Sequence, residues 1–515
     1  MRNIKILSLI TLAVLVFVAA CGRSNNEIEP IYINAEETPT EAIEVIEPEL
    51  PEVEEPATNM PEFGTAIEEP LEPNHIWEIW TLAYVDVDSW KEDITQFRNF
   101  VFRVHPKFTN SATSNLSYSE IGVAFDAHID WLLENVPYLT KFEILVQLQQ
   151  ASALLKDNHF LFGAALPIIQ RPDTISFIHQ LREDRYPLQF RWFCDGLYLY
   201  RSIESEDVIP ALNHRLIAIN DIPIEDIFVA FQSFWSIENI YDARTSFANH
   251  LNSPGILYAL GVWDRGSTIY TFFDDTVGSF SVSMTEPFNV PHNLSEFWRL
   301  DFPEPLTDNR HYGELPLFLQ NAHQAHWYTY IKEYGILYMR INGYPTWRNT
   351  EYDIHIKALI GEIGDNITAT IIDARDNPGG DMSYYQSLFD ALAEATPQGK
   401  LFYFMNEGSY SAALLAGGYL YQLGATIVGQ PSGQLIDFYA FVGGFAEIHV
   451  SLRHTWTSVH VPNSFLTIRD NGVESEDLVF RPHVFIEYTI DDWINNRDPY
   501  LQYVLDLYSL MQNAP

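Results

Sequence analysis

A short apolar run, Thr368-Ala369-Thr370-Ile371-Ile372, stops abruptly at Asp373-Ala374-Arg375-Asp376-Asn377-Pro378-Gly379-Gly380-Asp381. The pattern predicts a buried strand whose C-terminal end enters a sharp, Gly-rich turn. Gly379 and Gly380 carry no Cβ, so backbone N–H groups can come close to whatever occupies that turn. Adjacent N–H groups in such a turn can stabilise a developing oxyanion. An Asn-Pro-Gly-Gly turn is also an ordinary way to connect a strand to a helix.

A second segment sharpens the reading. Leu401-Phe402-Tyr403-Phe404-Met405 predicts another buried strand, followed by Gly408-Ser409-Tyr410-Ser411-Ala412-Ala413-Leu414-Leu415-Ala416-Gly417-Gly418. The Ala/Leu/Gly stretch predicts a tightly packed helix. Strand, tight turn, serine and helix together expose a serine Oγ and aim helix N–H groups at it. A serine here can equally serve as a helix cap.

In this order the segments resemble the tail-specific, or C-terminal processing, serine peptidase family, including its tricorn-core branch. Asp373, Arg375, Asn377, Gly379 and Gly380 match the family's Asp-x-Arg-x-Asn-x-Gly-Gly turn. Ser409, Ser411 and Ala412 match its nucleophile turn. Val428-Gly429-Gln430-Pro431-Ser432-Gly433-Gln434 is a loose match to a Gly-Glu-x-Thr-x-Gly turn. Glu476 to His483, then Thr489, Asp491 and Asp498-Pro499-Tyr500-Leu501, follow the family's C-terminal order in part. The resemblance runs from about Trp77 to the end. It implies a crotonase-like α/β catalytic domain, residues 325–512, with no cofactor.

The resemblance also implies roles. Ser411 is the nucleophile, with Ser409 in support. Gly379 or Gly380 forms the oxyanion hole with Ala412, and Asp373, Arg375 and Asn377 support the turn. A serine hydroxyl needs a base. One branch of the family uses a lysine shortly after the Gly-Glu turn, but Gln434 stands there and no lysine follows Lys400. The tricorn-like branch uses a histidine from an Asp-Gly-His-Thr turn. Lys156-Asp157-Asn158-His159-Phe160 matches it at Asp157 and His159. His159 is therefore the expected base and Glu476 the expected carboxylate of the supporting network. A base working as neutral imidazole predicts activity falling below roughly pH 6. Leu414 and Gln430 replace acidic residues common in the family. The alternative is thus a catalytically inactive surface lipoprotein that binds peptides or carbohydrates.

The rest of the chain fits a secreted enzyme. Arg2 and Lys5 precede an apolar run, Ile6 to Ala20, that has the layout of a secretory signal and is short for a transmembrane helix. Val18-Ala19-Ala20-Cys21 resembles a bacterial lipobox, which implies a signal peptide over 1–20, a lipid on Cys21 and an extracytoplasmic, membrane-anchored protein. Residues 21–75 are rich in Glu and Pro and predict a disordered linker. With 69 acidic and 29 basic residues, the formal net charge of −40 argues against nucleic acid as a partner. The substrate would be a peptide or unfolded protein. The spacing of Trp90, Ile94, Phe97, Phe100 and Val101, of Phe125, Ile129, Leu132 and Leu133, and of Phe142 to Leu155 predicts a helical region over 76–170. Residues 171–290 read as mostly strands and turns, possessing a degenerate PDZ-like pattern around Arg215 to Pro223. Cys194, in an apolar run, reads as a buried small hydrophobe. His323-x-x-His326 lacks further regularly spaced ligands, and no metal site is expected.

Overall fold

The computed structural model describes residues 85–109, 114–162, 184–263, 266–289, 306–308, 310, 314–345, 350–442, 448–455 and 457–512. All of them fall within one compact unit. The signal segment, Cys21 and the acidic linker lie outside the described residues. No described helix is long and apolar enough to cross a membrane.

The C-terminal region, from His326 onward, is built on a six-stranded sheet. Its order is His326–Ile331, Ile336–Ile341, Ala369–Asp373, Leu401–Met405, Thr426–Gly429, Val484–Phe485. The first pair is antiparallel and the others are parallel. Leu401–Met405 is apolar throughout and its neighbours nearly so, because both faces of the sheet are covered. Along Ile336–Ile341, Leu337, Met339 and Ile341 face one core while Ile336 and Tyr338 face the other. Leu401, Tyr403 and Met405 divide from Phe402 and Phe404 in the same way. One face packs on helices Thr350–Ile363, Gln386–Ala395 and Ala412–Gln422, the other on the C-terminal helix Pro499–Gln512. This alternation of strand and helix is the expected α/β pattern.

The helical region forms as its apolar spacing predicts, with helices Val87–Val104, Ser114–Asn135 and Lys141–Ala153. Asp86 caps the first by accepting from Ser89 N–H, and Thr140 and Glu143 form a capping box on the third. These helices share one core with the following β-rich module. That module is an antiparallel sheet in the order Leu188–Phe193, Gly196–Ser202, Arg215–Ile219, Thr268–Asp274, Gly278–Met284, with Ile222–Pro223 paired to its middle strand. It also contains helices Ile224–Phe234, Ile240–Ala248 and Pro254–Ala259, where strands and turns were expected. Ile224, Ile227, Phe231 and Phe234 bury one face at helical spacing, and Asn239 caps the second helix. Cys194 corrects another expectation. It is exposed, because it occupies the two-residue turn between the strands Leu188–Phe193 and Gly196–Ser202.

Strand pairing and side-chain hydrogen bonds tie the helical region to the C-terminal region, among them Gln96 Nε2 to Ser451 O at 3.3 Å. Leu161 and Phe162 pair antiparallel with His460 and Val459, joining a three-stranded sheet with His449–Ser451. The buried Asp93 carboxylate accepts from the N–H groups of His454 and Thr455 at 2.9 and 2.8 Å.

A buried ion network closes the C-terminal region. Asp373 accepts from Arg340 Nη1 at 2.9 Å, Tyr338 Oη at 2.7 Å and Arg375 Nε at 3.1 Å. Arg375 grips Asp498, at the start of the C-terminal helix, through two parallel 2.9 Å bonds. Its guanidinium sits over the rings of Phe318 and Tyr500, at 4.0 and 4.6 Å from their centroids. Arg375→Met would leave Asp498 without its partner in a buried site. A loss of about 3–5 kcal/mol is expected. Urea titration measures it, and a loss below about 1 kcal/mol would show that the network does not hold the helix in place.

Candidate active site

The loops that follow three parallel strands meet at their C-terminal ends, where ligands bind in open α/β sheets. These loops run on from Asp373, Met405 and Gly429. The first is the Gly-Gly turn. Asn377 shapes it: its Nδ2 donates to Ile341 O at 2.9 Å, and its Oδ1 accepts from Gly379 N–H at 2.9 Å. Tyr410 N–H donates to Asn377 O at 2.8 Å, so this turn and the nucleophile turn are hydrogen-bonded together. Gly379 has φ 111°, and a Cβ there would lie 2.6 Å from Ser411 Cβ. Gly380, at φ 122°, packs so tightly on Tyr344 O that no side chain fits. The Gly379 N–H is committed to Asn377. Among the described residues the Gly380 and Ala412 N–H groups have no protein acceptor, which makes them the two donors open to a ligand.

The second loop carries both serines. Ser409 is buried; its Oγ donates to Ala374 O at 2.8 Å and accepts from Asn406 N–H at 3.1 Å. It fastens one loop to the other. Ser411 is half-buried at the N-terminus of the helix Ala412–Gln422, with φ 52° and ψ −113°. A non-glycine residue held there is strained. The same strain marks the exposed serine of a nucleophile elbow.

The histidine arrives from the helical region. The helix Lys141–Ala153 ends in a turn at Lys156, φ 47°, and Asp157 N–H donates to Ser236 Oγ at 2.9 Å. Asp157 is fully buried; its Oδ1 accepts from His159 N–H at 3.0 Å and its Oδ2 lies 3.0 Å from His105 Nε2. Burial alone would raise the Asp157 pKa, but the His105 contact holds it below the ordinary value. His159 Nε2 lies 3.3 Å from Ser411 Oγ. The ring is stacked on Phe438 with centroids 5.9 Å apart. Burial lowers its pKa, against a smaller opposing effect of Asp157, and so favours neutral imidazole.

The third loop supplies a residue that sequence reasoning placed only as a missing lysine. Gln434 is fully buried, its Oε1 accepts from Ser411 N–H, and its Nε2 lies 3.2 Å from His159 Nδ1. Gln434 Nε2 is also 3.4 Å from Glu238 Oε1. Glu238 was missed altogether, since nothing in its sequence neighbourhood marks it. It accepts from Leu435 N–H at 3.0 Å and Asn158 N–H at 3.3 Å, clamping the β-rich module onto the site. Glu476 does not join this cluster. It is exposed in the loop after Gly472, where its neighbours Ser475, Asp477 and Arg481 bond to one another. Oxygens of Asp157 and Glu238 and a ring nitrogen of His159 lie within 4.8 Å of one another, a spacing open to a cation. Both carboxylates are already held by protein donors, which suits a proton-handling cluster better than a chelate. His326 lies apart, with its Nδ1 2.8 Å from Tyr385 Oη.

A serine under strain, a histidine in contact with it and two open N–H donors can perform acyl transfer. The chain has the fold of the tail-specific, C-terminal processing proteases. Over 83% of its length it aligns with 97% of mature CPAF, at a TM-score of 0.54 and 14% identity. Mature CPAF complexed with lactacystin aligns over 83% of this chain and 98% of its own, with TM-score 0.54 and 12% identity. A photosystem II D1 C-terminal processing protease aligns over 78% of this chain and 93% of its own at 12% identity, with a TM-score of 0.37 that adds nothing to the fold. At such identities the likeness is one of fold. No family model and no curated protein matches the chain.

Two carboxyls near the site titrate abnormally. Burial, then Asp157 and Asp242, push Glu238 up to about 8, and burial pushes Asp242 up to about 6. A carboxyl with a raised folded pKa contributes stability fully present below its unfolded value and lost as pH rises through the folded one. The urea midpoint should therefore fall from pH 5 and level off above about pH 8, and Glu238→Gln should flatten the part of the fall between about pH 6 and pH 8. Parallel curves for the two proteins would rule out Glu238 as the source.

Proposed function

We propose that the chain is a serine peptidase that hydrolyses peptide bonds in extracytoplasmic peptides or protein tails. The observation that carries this reading is the 3.3 Å approach of His159 Nε2 to Ser411 Oγ across 252 residues of sequence. Ser411 Oγ attacks the scissile carbonyl carbon and His159 Nε2 takes its proton. The carbonyl oxygen becomes an oxyanion that accepts from the Gly380 and Ala412 N–H groups. His159 then gives the proton to the departing amine. Water, deprotonated by the same ring, releases the acyl group from Ser411.

The finer family features belong to this reading. The catalytic region is taken as crotonase-like and the β-rich module as a degenerate PDZ-like unit able to hold a peptide edge. The lipobox-like junction supports an anchor through Cys21 on the outer face of a bacterial membrane.

A fluorophosphonate probe should label wild type and not Ser411→Ala, which should fold and show no peptide hydrolysis. Ser409→Ala should keep much of the activity while losing roughly 1–3 kcal/mol of stability, because Asn406 N–H loses its Oγ acceptor and Ala374 O keeps only the long contact from Asn377 N–H. His159→Ala should lose on the order of a thousandfold or more in rate. The acid limb set by the imidazole should fall below the ordinary value of about 6.5, since burial depresses it. Absence of labelling in wild type would favour the peptide- or carbohydrate-binding lipoprotein instead. Separately, a fatty-acid analogue should mark wild type and not Cys21→Ser; equal marking would remove the anchor.

A further inference from the structure

The Gln434 amide beside His159 favours the ring tautomer that a base cannot use. Ser411 N–H donates to Gln434 Oε1, which fixes the orientation of the amide. The amide NH2 must then face the other way, toward His159 Nδ1 and Glu238 Oε1. An amide NH2 only donates, so Nδ1 carries a lone pair and the ring proton sits on Nε2. There it points at Ser411 Oγ as a donor. A base needs the reverse, with Nδ1–H held by an acceptor and Nε2 free to take the serine proton.

Two carboxylates lie close to the ring, each with an oxygen within 4.8 Å of a His159 ring nitrogen. Asp157 is spent: one oxygen takes the His159 backbone N–H and the other faces His105. Glu238 is not. Its Oε2 is held by Leu435 N–H at 3.0 Å, but its Oε1 has only two long contacts, to Asn158 N–H at 3.3 Å and Gln434 Nε2 at 3.4 Å. Gln434 Nε2 contacts both that oxygen, at 3.4 Å, and Nδ1, at 3.2 Å. We propose that Glu238, from the β-rich module, is the acid partner of His159, and that Gln434 is a gate whose amide withdraws from Nδ1 to let the two meet. This rests on the peptidase reading above.

The proton balance is simple. In the resting state Nε2–H donates to Ser411 Oγ and Nδ1 accepts from Gln434. On opening, the Nε2 proton leaves to solvent, one returns at Nδ1, and the ring stays neutral. Nδ1–H then donates to the Glu238 carboxylate, and Nε2 accepts the Ser411 proton during attack. Glu238 orients and stabilises the ring without touching substrate, so it is a positioning residue. Its ionisation is set by the groups around it: Asp157 and His159 from the turn before Leu161, Asp242 from the helix Ile240–Ala248, Lys107, Tyr410 and Tyr439. With the carboxyl held up to about 8, this partnership strengthens as pH rises through that value.

The test compares fluorophosphonate labelling rates and casein hydrolysis in wild type, Glu238→Gln, Glu238→Asp and Ser411→Ala, from pH 5 to pH 10. Wild type should show a limb near pH 8 that Glu238→Gln lacks. Glu238→Gln should fall about a hundredfold to ten-thousandfold in kcat with little change in KM, as when a triad carboxylate becomes an amide. Glu238→Asp should recover part of it. Ring nitrogen NMR of wild type should show Nε2–H in the free protein and a hydrogen-bonded Nδ1–H in a peptidyl boronate adduct. Wild-type rates and an unchanged pH profile in Glu238→Gln would overturn the role of Glu238 and leave the peptidase standing. A wild type that neither labels nor cleaves would remove both. If Glu238→Gln does not fold, the NMR decides: Nδ1–H already present in the free protein overturns the gate.

Discussion

His159 and Ser411 belong to different parts of the chain, and a two-residue strand brings them together. Leu161 and Phe162 pair with His460 and Val459, so the backbone two residues beyond His159 is fixed to the C-terminal region. Asp93, gripping the backbone of His454 and Thr455, holds the turn that leads into the strand Ser458–His460. The shared core beneath is large and apolar, but apolar contact has no direction. Register comes from these few hydrogen bonds. A one-residue slip would turn every side chain of the strand to the opposite face and carry the imidazole away from the serine.

The opposite wall of the site is fixed by charge. Asp373, Arg340, Arg375 and Asp498 are buried together, and each has its partners. Such a network adds little stability relative to an apolar core, but it tolerates few alternatives. It sets where the strand Ala369–Asp373 ends and therefore where the Gly-Gly turn begins. Asn377 and Ser409 then pass that position on to the nucleophile turn through single hydrogen bonds.

Local sequence carried much of this. The strands Leu401–Met405 and Ala369–Asp373 are apolar runs bounded by turn residues, and the helix Val87–Val104 shows its buried face at the spacing of Trp90, Ile94, Phe97 and Val101. Asp157, His159 and Ser411 stand in recognisable local patterns. Glu238 does not. Its place depends on how a separate module docks, and docking is written in long-range contacts such as Asn239 Nδ2 to Ser432 O. Gln434 was visible only as a substitution for lysine, because its bonds run to Ser411, Glu238 and His159 at once. The helices at Ile224–Phe234 and Ile240–Ala248 were obscured by β-branched and aromatic residues whose burial, rather than intrinsic preference, decides the element. Cys194 shows the limit of reading an apolar run without its turn.

The bidentate grip of Arg375 on Asp498 has a consequence for synthesis of the protein. A ribosome delivers His159, the Gly-Gly turn and Ser411 well before it delivers Asp498. Until then the Arg375 guanidinium lacks one of its two carboxylates and the aromatic cover of Tyr500. The turn that begins at Asp373 therefore gains its last ion-pair partner only after Asp498 has been made. A growing chain carries Ser411 for a time beside an ion network that Asp498 has yet to complete.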